Sequence, residues 1–106
     1  LPVADGLRFV ELTDLIYLVA EGAYTHVVLN DGTKLLISKK LKEFETILSE
    51  NKNFFRIHRS YLINTDAIQQ YVKSDGGSIL MSNNISVPVA RERKDDFQKL
   101  IDDIRL

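Results

Sequence analysis

The chain has 106 residues, 44% of them hydrophobic and 27% charged, with a net charge of −1. That length is one domain, able to bury a core without covalent staples. The lack of cysteine excludes disulfides and thiolate metal sites, the two histidines (His26 and His58) cannot complete a four-ligand zinc site, and no apolar run approaches a membrane span of roughly 18–20 residues.

The first two-fifths carry strand signals. Leu7 to Leu12 sets Leu7, Phe9 and Val10 among charged Arg8 and Glu11, and Asp14 to Ala20 is apolar and rich in β-branched and aromatic residues. Glu21-Gly22 interrupts, and Ala23 to Leu29 resumes with β formers. Asp31-Gly32, after Asn30, suits a primed hairpin turn, which makes Thr33 to Ile37 an antiparallel return strand. Ser38 is placed as the N-cap of a helix. Leu41, Phe44, Ile47 and Leu48 follow at helical spacing, and the helix is expected to end near Ser49-Glu50, before the loop Asn51-Lys52-Asn53.

Phe54 to Asn64 (FFRIHRSYLIN) places Arg56, His58 and Arg59 among large apolar residues. Extended backbone there puts Phe55 and Ile57 on one face and Arg56 and His58 on the other, with Arg59 at a bend. Ser60 to Ile63 is short and extended, and Asn64-Thr65-Asp66 caps a single helical turn. Ile68 to Lys73, Ser78 to Met81 and Ile85 to Val89 are three further strands, joined by Asp75-Gly76-Gly77 and Asn83-Asn84. Pro88 confines the last of them to an edge or ends it. Phe97, Leu100, Ile101 and Ile104 then mark a terminal amphipathic helix. The expected fold class is α+β and β-rich: an elongated arrangement of short, mostly antiparallel strands with two helices. Phe9, Phe44, Phe54, Phe55 and Phe97 are all expected in the core.

Charge is unevenly spread. Residues 1–31 carry one basic and five acidic groups, residues 32–64 seven and three, and residues 65–106 six and seven. A nucleic-acid binder needs a positive face rather than a positive total, because counterion release is set by local phosphate contacts. Arg91, Arg93 and Lys94 stand at the start of the last helix, where the macrodipole disfavours each cation by about 0.3–1 kcal/mol. Placement against the local field suggests a use outside the fold, such as binding an anion; the plain alternative is a solvated helix end with surface ion pairs. Arg59 is read as reaching base edges or phosphates. Arg56 acts on phosphates or on a structural carboxylate, and His58 is a structural hydrogen bonder. Tyr24, Thr25 and His26 form a third cluster, with ordinary exposed strand residues as the alternative. Lys39, Lys40 and Lys42 fit a solvated helix start.

Enzyme readings find little support. No nucleophile elbow or glycine-rich phosphate loop is present, and no acid is evident to orient His58 and Ser60. No catalytic residue, metal or cofactor is assigned. Single-stranded RNA binding is disfavoured too, because the phenylalanines fit a core better than an open stacking face.

With those segments in view, the chain resembles the LytTR-type DNA-binding domain of bacterial response regulators. The resemblance rests on Asp14-Leu15-Ile16-Tyr17-Leu18, Glu21-Gly22-Ala23-Tyr24, Asp31-Gly32 and Leu41 to Leu48. Above all it rests on Phe55-Arg56-Ile57-His58-Arg59-Ser60-Tyr61-Leu62-Ile63-Asn64 and Val87-Pro88-Val89-Ala90-Arg91. It implies sequence-specific binding of double-stranded DNA for transcription control, as the output domain of a two-component system, in a bacterial cytoplasm. Loops are expected to enter successive major grooves of bent DNA, with two copies on direct repeats of a promoter. Base contacts fall to His26, Arg59 and Arg91, with Tyr24 or Thr25 as alternatives to His26. Tyr24, Thr25, Lys40, Arg56, Ser60, Arg93 and Lys94 take phosphate or supporting roles. Ala90 departs from the serine often found there, removing a candidate N-cap. Residues 1–106 are expected to form a single domain of a longer chain, preceded by a receiver domain whose phosphorylation controls dimerisation. The alternative is a protein-interaction or sensory module on the same fold.

Overall fold

Two apolar cores, one on each face of a five-stranded antiparallel sheet, organise the computed structural model, which describes residues 1–3, 6–51 and 53–104. Two short strands, β1 (Pro2–Val3) and β2 (Gly6–Leu7), pair with each other. A 3-10 turn at Leu12–Asp14 leads into β3 (Leu15–Glu21), β4 (Tyr24–Leu29) and β5 (Lys34–Ile37). Helix α1 (Leu41–Ile47) follows, then β6 (Phe54–His58) and β7 (Tyr61–Asn64). The large sheet runs β5-β4-β3-β7-β6. A 3-10 turn at Thr65–Ala67, capped by the Asn64 side chain, leads to β8 (Ile68–Val72), β9 (Ser78–Met81) and β10 (Ser86–Pro88). These form a second sheet in the order β10-β9-β8, with Pro88 on its edge strand. A 3-10 turn at Arg91–Arg93 opens into helix α2 (Lys94–Ile104). The whole measures 41 × 26 × 26 Å, so the expected elongated, β-rich α+β arrangement is found.

The period-2 alternation of strands divides the side chains between the two cores. Leu18, Val27, Leu35, Ile37 and Leu62 face α1 and meet Leu41, Phe44 and Leu48. Tyr17, Val28 and Ile63 face the other way and meet Ile79, Met81 and Val87 of the second sheet and Phe97 of α2. Phe97 is fully buried, 5.9 Å from the Phe55 ring and 5.1 Å edge-on from Tyr71.

Several local expectations need correction. The strand foreseen over Leu7 to Leu12 stops at Leu7, because no strand pairing extends to Phe9, and Phe9 is 94% exposed rather than part of the core. Helix α1 begins two residues later than a Ser38 cap implies: Lys40 holds the N-cap position with no side-chain cap, and the helix closes at Ile47. The turn after β4 is not a primed one. Gly32 N–H bonds the Leu29 carbonyl and only Gly32 has positive φ, which is a type I turn with a glycine bulge. Lys52 and the Ile104 side chain lie outside the described residues.

Candidate nucleic-acid interface

Strand directions decide where the basic segments meet. In the large sheet Val19 pairs with both His26 and Tyr61, His26 with Leu36, and Tyr61 with His58. One row therefore crosses all five strands: Leu36, His26, Val19, Tyr61, His58. Just beyond that row lie the Gly22-Ala23 hairpin tip, the Ser38–Lys40 segment that leaves β5, and the Arg59-Ser60 turn between β6 and β7. The Ala90 N–H bonds the Ile57 carbonyl at 3.0 Å, which brings the Arg91–Arg93 turn to the same end on the outer side of β6. Counting about 3.8 Å per residue and about 5 Å across that bond, the Arg59 and Arg91 Cα atoms are at most about 16 Å apart. Segments widely separated in sequence thus share one end of one sheet.

Each loop has a local cause. Glu21 and Tyr24 pair across a two-residue connection in which Gly22 has φ 60° and Ala23 has no positive φ. Glycine at the first central position is what a II′ turn requires. At β6 the register shifts between Arg56 and His58, a bulge that turns both Ile57 and His58 toward the second sheet. His58 is therefore not on the Arg56 face, as simple alternation implies, but edge-on to Tyr61 with ring centroids 5.7 Å apart. Its Nδ1 accepts the Ser60 N–H at 3.0 Å, the structural role expected of it.

The cations differ in how much of their valence the protein uses. Among the described residues two ion pairs form, His26 with Glu21 and Arg56 with Glu45. Arg59 and Arg91 are exposed and take part in neither, as do Lys40, Arg93 and Lys94. Arg93 and Lys94 are half-buried; Arg93 lines a cleft with Arg56, Glu45 and Phe55, and the Lys94 stem passes near Gly77. Arg56 donates Nη1 to Glu45 at 2.8 Å, Nε to the His58 carbonyl and Nη2 to the Arg59 carbonyl. Of the two roles foreseen for it, the structural carboxylate is the one occupied.

The Tyr24–His26 cluster splits. Tyr24 is 47% exposed, whereas Thr25 is fully buried with its hydroxyl donating to the Lys39 carbonyl at 2.7 Å. Thr25 is thus out of reach of a phosphate or a base and supports the Lys39-Lys40 segment instead. His26 is partly exposed, with Nε2 on the Glu21 carboxylate, and its Nδ1 edge is the one not held by that bond. Ser60 is half-buried, its amide on His58 and its carbonyl accepting from Ala20 N–H.

Glu21, Lys39 and Glu45 are the members of this site that sequence reasoning missed. The Glu21 contact has a signal, since a two-residue loop at Gly22-Ala23 fixes the pairing of Val19 with His26 and sets Glu21 two residues further on the same face. The Glu45 contact has none, because nothing in the sequence fixes where α1 docks on β6.

The model of the LytTr DNA-binding domain family matches residues 5–102. The chain belongs to the LytTR family. A solved structure described as the LytTr DNA-binding domain of a putative methyl-accepting/DNA response regulator from Bacillus cereus is similar throughout. Its TM-score is 0.81 at 28% identity, over 93% of this chain and 91% of that one. No curated protein matches the chain. Family and fold therefore agree with the resemblance carried by the Phe55–Asn64 and Val87–Arg91 segments.

Proposed function

We propose that this LytTR domain binds double-stranded DNA in a sequence-specific manner to regulate transcription, as the output domain of a bacterial two-component response regulator. The observation that carries the reading is the gathering of Arg59, Arg91, Arg93 and Lys40, all outside the internal ion pairs, at one end of the large sheet. Arg59 and Arg91 suit base edges, since an arginine fork matches the guanine acceptors in the major groove. His26, with Nδ1 free of Glu21, takes the third base contact, and Tyr24 stands beside it. Lys40, Arg93 and Lys94 contact phosphates, while Arg56, Ser60 and Thr25 support the loops from within.

Adjacent strands lie about 4.8 Å apart, so the row from β4 through β6 to Arg91 spans about 20 Å. Successive major grooves are about 34 Å apart on straight DNA, so long side chains must be helped by a bend toward the protein. Two copies on direct repeats, controlled by phosphorylation of a receiver domain and acting in the cytoplasm, complete the reading.

Selection from a random duplex library, followed by mobility shifts at several salt concentrations, tests it. The expected result is paired repeats bound with affinity that falls steeply with salt. Binding that is equal on all sequences, or no binding at all, overturns it. A second reading, a protein-interaction or sensory module, draws on exposed Leu7, Phe9 and Ile47. A partner captured through those residues, with no salt-dependent DNA binding, would favour it.

A further inference from the structure

We infer that Arg56 and Glu45 are positioning residues that fix the Arg59 turn for base reading, and that Arg56 does not itself bind phosphate; this rests on the DNA-binding reading above. The Arg56 side chain is 15% exposed, and all three of its nitrogens are engaged inside the protein. Nε donates to the His58 carbonyl at 3.0 Å, Nη2 to the Arg59 carbonyl at 2.5 Å, and Nη1 to the Glu45 carboxylate at 2.8 Å. A phosphate would have to displace these partners and leave the His58 carbonyl unpaired in a partly buried site, which is unfavourable.

The arrangement has a direction. Glu45 is on α1, which packs on the opposite face of the sheet from His58, and Arg56 pairs in register with Leu62, on that same α1 face. The guanidinium therefore reaches from β6 around the bulge to the carbonyls of the very residues that form the turn. Arg59 lies outside the strand ladder, in the turn itself, so Arg56 supplies a donor that the sheet does not. The turn's backbone is held from beneath while the Arg59 side chain stays exposed and outside the ion pairs. A forked base contact needs its hydrogen-bond geometry set before binding, and a rigid support is what keeps that geometry. Lysine cannot replace this function, because one ammonium on a flexible stem does not reproduce a planar fork with donors in three directions.

The test compares Arg56→Lys, Arg56→Gln and the milder Glu45→Gln with the parent domain. The base pair read by Arg59 is first located from the binding profile of Arg59→Ala on single-substitution duplexes. Positioning predicts that Arg56→Lys and Arg56→Gln each lower discrimination at that base pair about tenfold, with other positions and the salt slope unchanged, and Glu45→Gln in the same direction by less. In the free proteins, amide exchange at Arg59 and Ser60 should accelerate while exchange at Ile63, in the β7 ladder, stays as in the parent. A phosphate role instead keeps Arg56→Lys near parental binding and lowers the salt slope of Arg56→Gln by about one, which overturns the inference. Uniform loss at every base pair together with faster exchange at Ile63 overturns it too, as general unfolding. If the parent binds no duplex, the DNA-binding reading fails, and the exchange rates at Arg59 and Ser60 still decide whether the strut holds the turn.

Discussion

Arg59→Ala separates a reading residue from a folding residue. Its side chain is exposed and in neither ion pair, and the turn that carries it is fixed through its backbone carbonyl by Arg56. Truncation therefore removes no core contact, and stability should stay within about 0.5 kcal/mol of the parent, as for ordinary surface positions. A forked arginine contact to guanine contributes about 1–3 kcal/mol of discrimination, so affinity for the selected duplex should fall roughly 5- to 150-fold. The loss should be confined to one base pair. Thermal melting and mobility shifts against duplexes altered one position at a time measure both quantities. Unchanged affinity, or an equal loss on every sequence, refutes the assignment; a fall in melting temperature larger than about 5 °C moves Arg59 into the fold.

Other residues give sharper separations. Arg93→Ala and Lys40→Ala should each weaken binding on all duplexes and reduce the salt slope by about one, the outcome expected of the phosphate contacts proposed for them. Thr25→Val removes a buried hydroxyl and leaves the Lys39 carbonyl without its donor, costing about 1–3 kcal/mol in urea unfolding. Phe97→Ala empties a fully buried ring site between Phe55 and Tyr71 and should cost about 3–5 kcal/mol, lowering the melting temperature by more than 10 °C. Hydrogen bonds from the Thr33 side chain and amide hold the Asp31 carboxyl below its usual value. The ionised form is thus favoured by the fold, and its contribution is present above pH 3.8 and lost as pH falls through the lowered value. Amide exchange at Thr33, beyond the intrinsic pH effect, should accelerate on acidification, and Asp31→Asn should abolish that step.

Much of the fold was legible because local chemistry and tertiary structure point the same way. Ser78 to Met81 is a short apolar run between two turn signals and is the strand β9. Asn64 caps the turn that follows it, with its side chain accepting the Asp66 N–H. Where the sequence misled, the deciding partner was distant. Phe9 looks like a core residue by composition, but among the described residues no strand pairs with it to fold it inward. His58 left the expected face because of a bulge, which the Phe55–His58 alternation does not encode. Thr25 resembled an exposed polar residue until the register put it opposite Ile37, against the α1-side core. The basic segments were visible as runs, yet their convergence depends on strand order and on one bond from Ala90 to Ile57. Neither is a local property. The same holds for Arg56, whose two foreseen partners were separated only by the docking of α1.

The most direct test follows backbone amide shifts of the labelled domain while the selected duplex is added. Binding through the basic end predicts that the large changes fall at Tyr24–His26, Ser38–Lys40, Arg59-Ser60 and Arg91–Arg93. Changes concentrated instead at Asp31–Thr33 and the Asn51 and Asn53 loop, at the opposite end of the sheet, would contradict it.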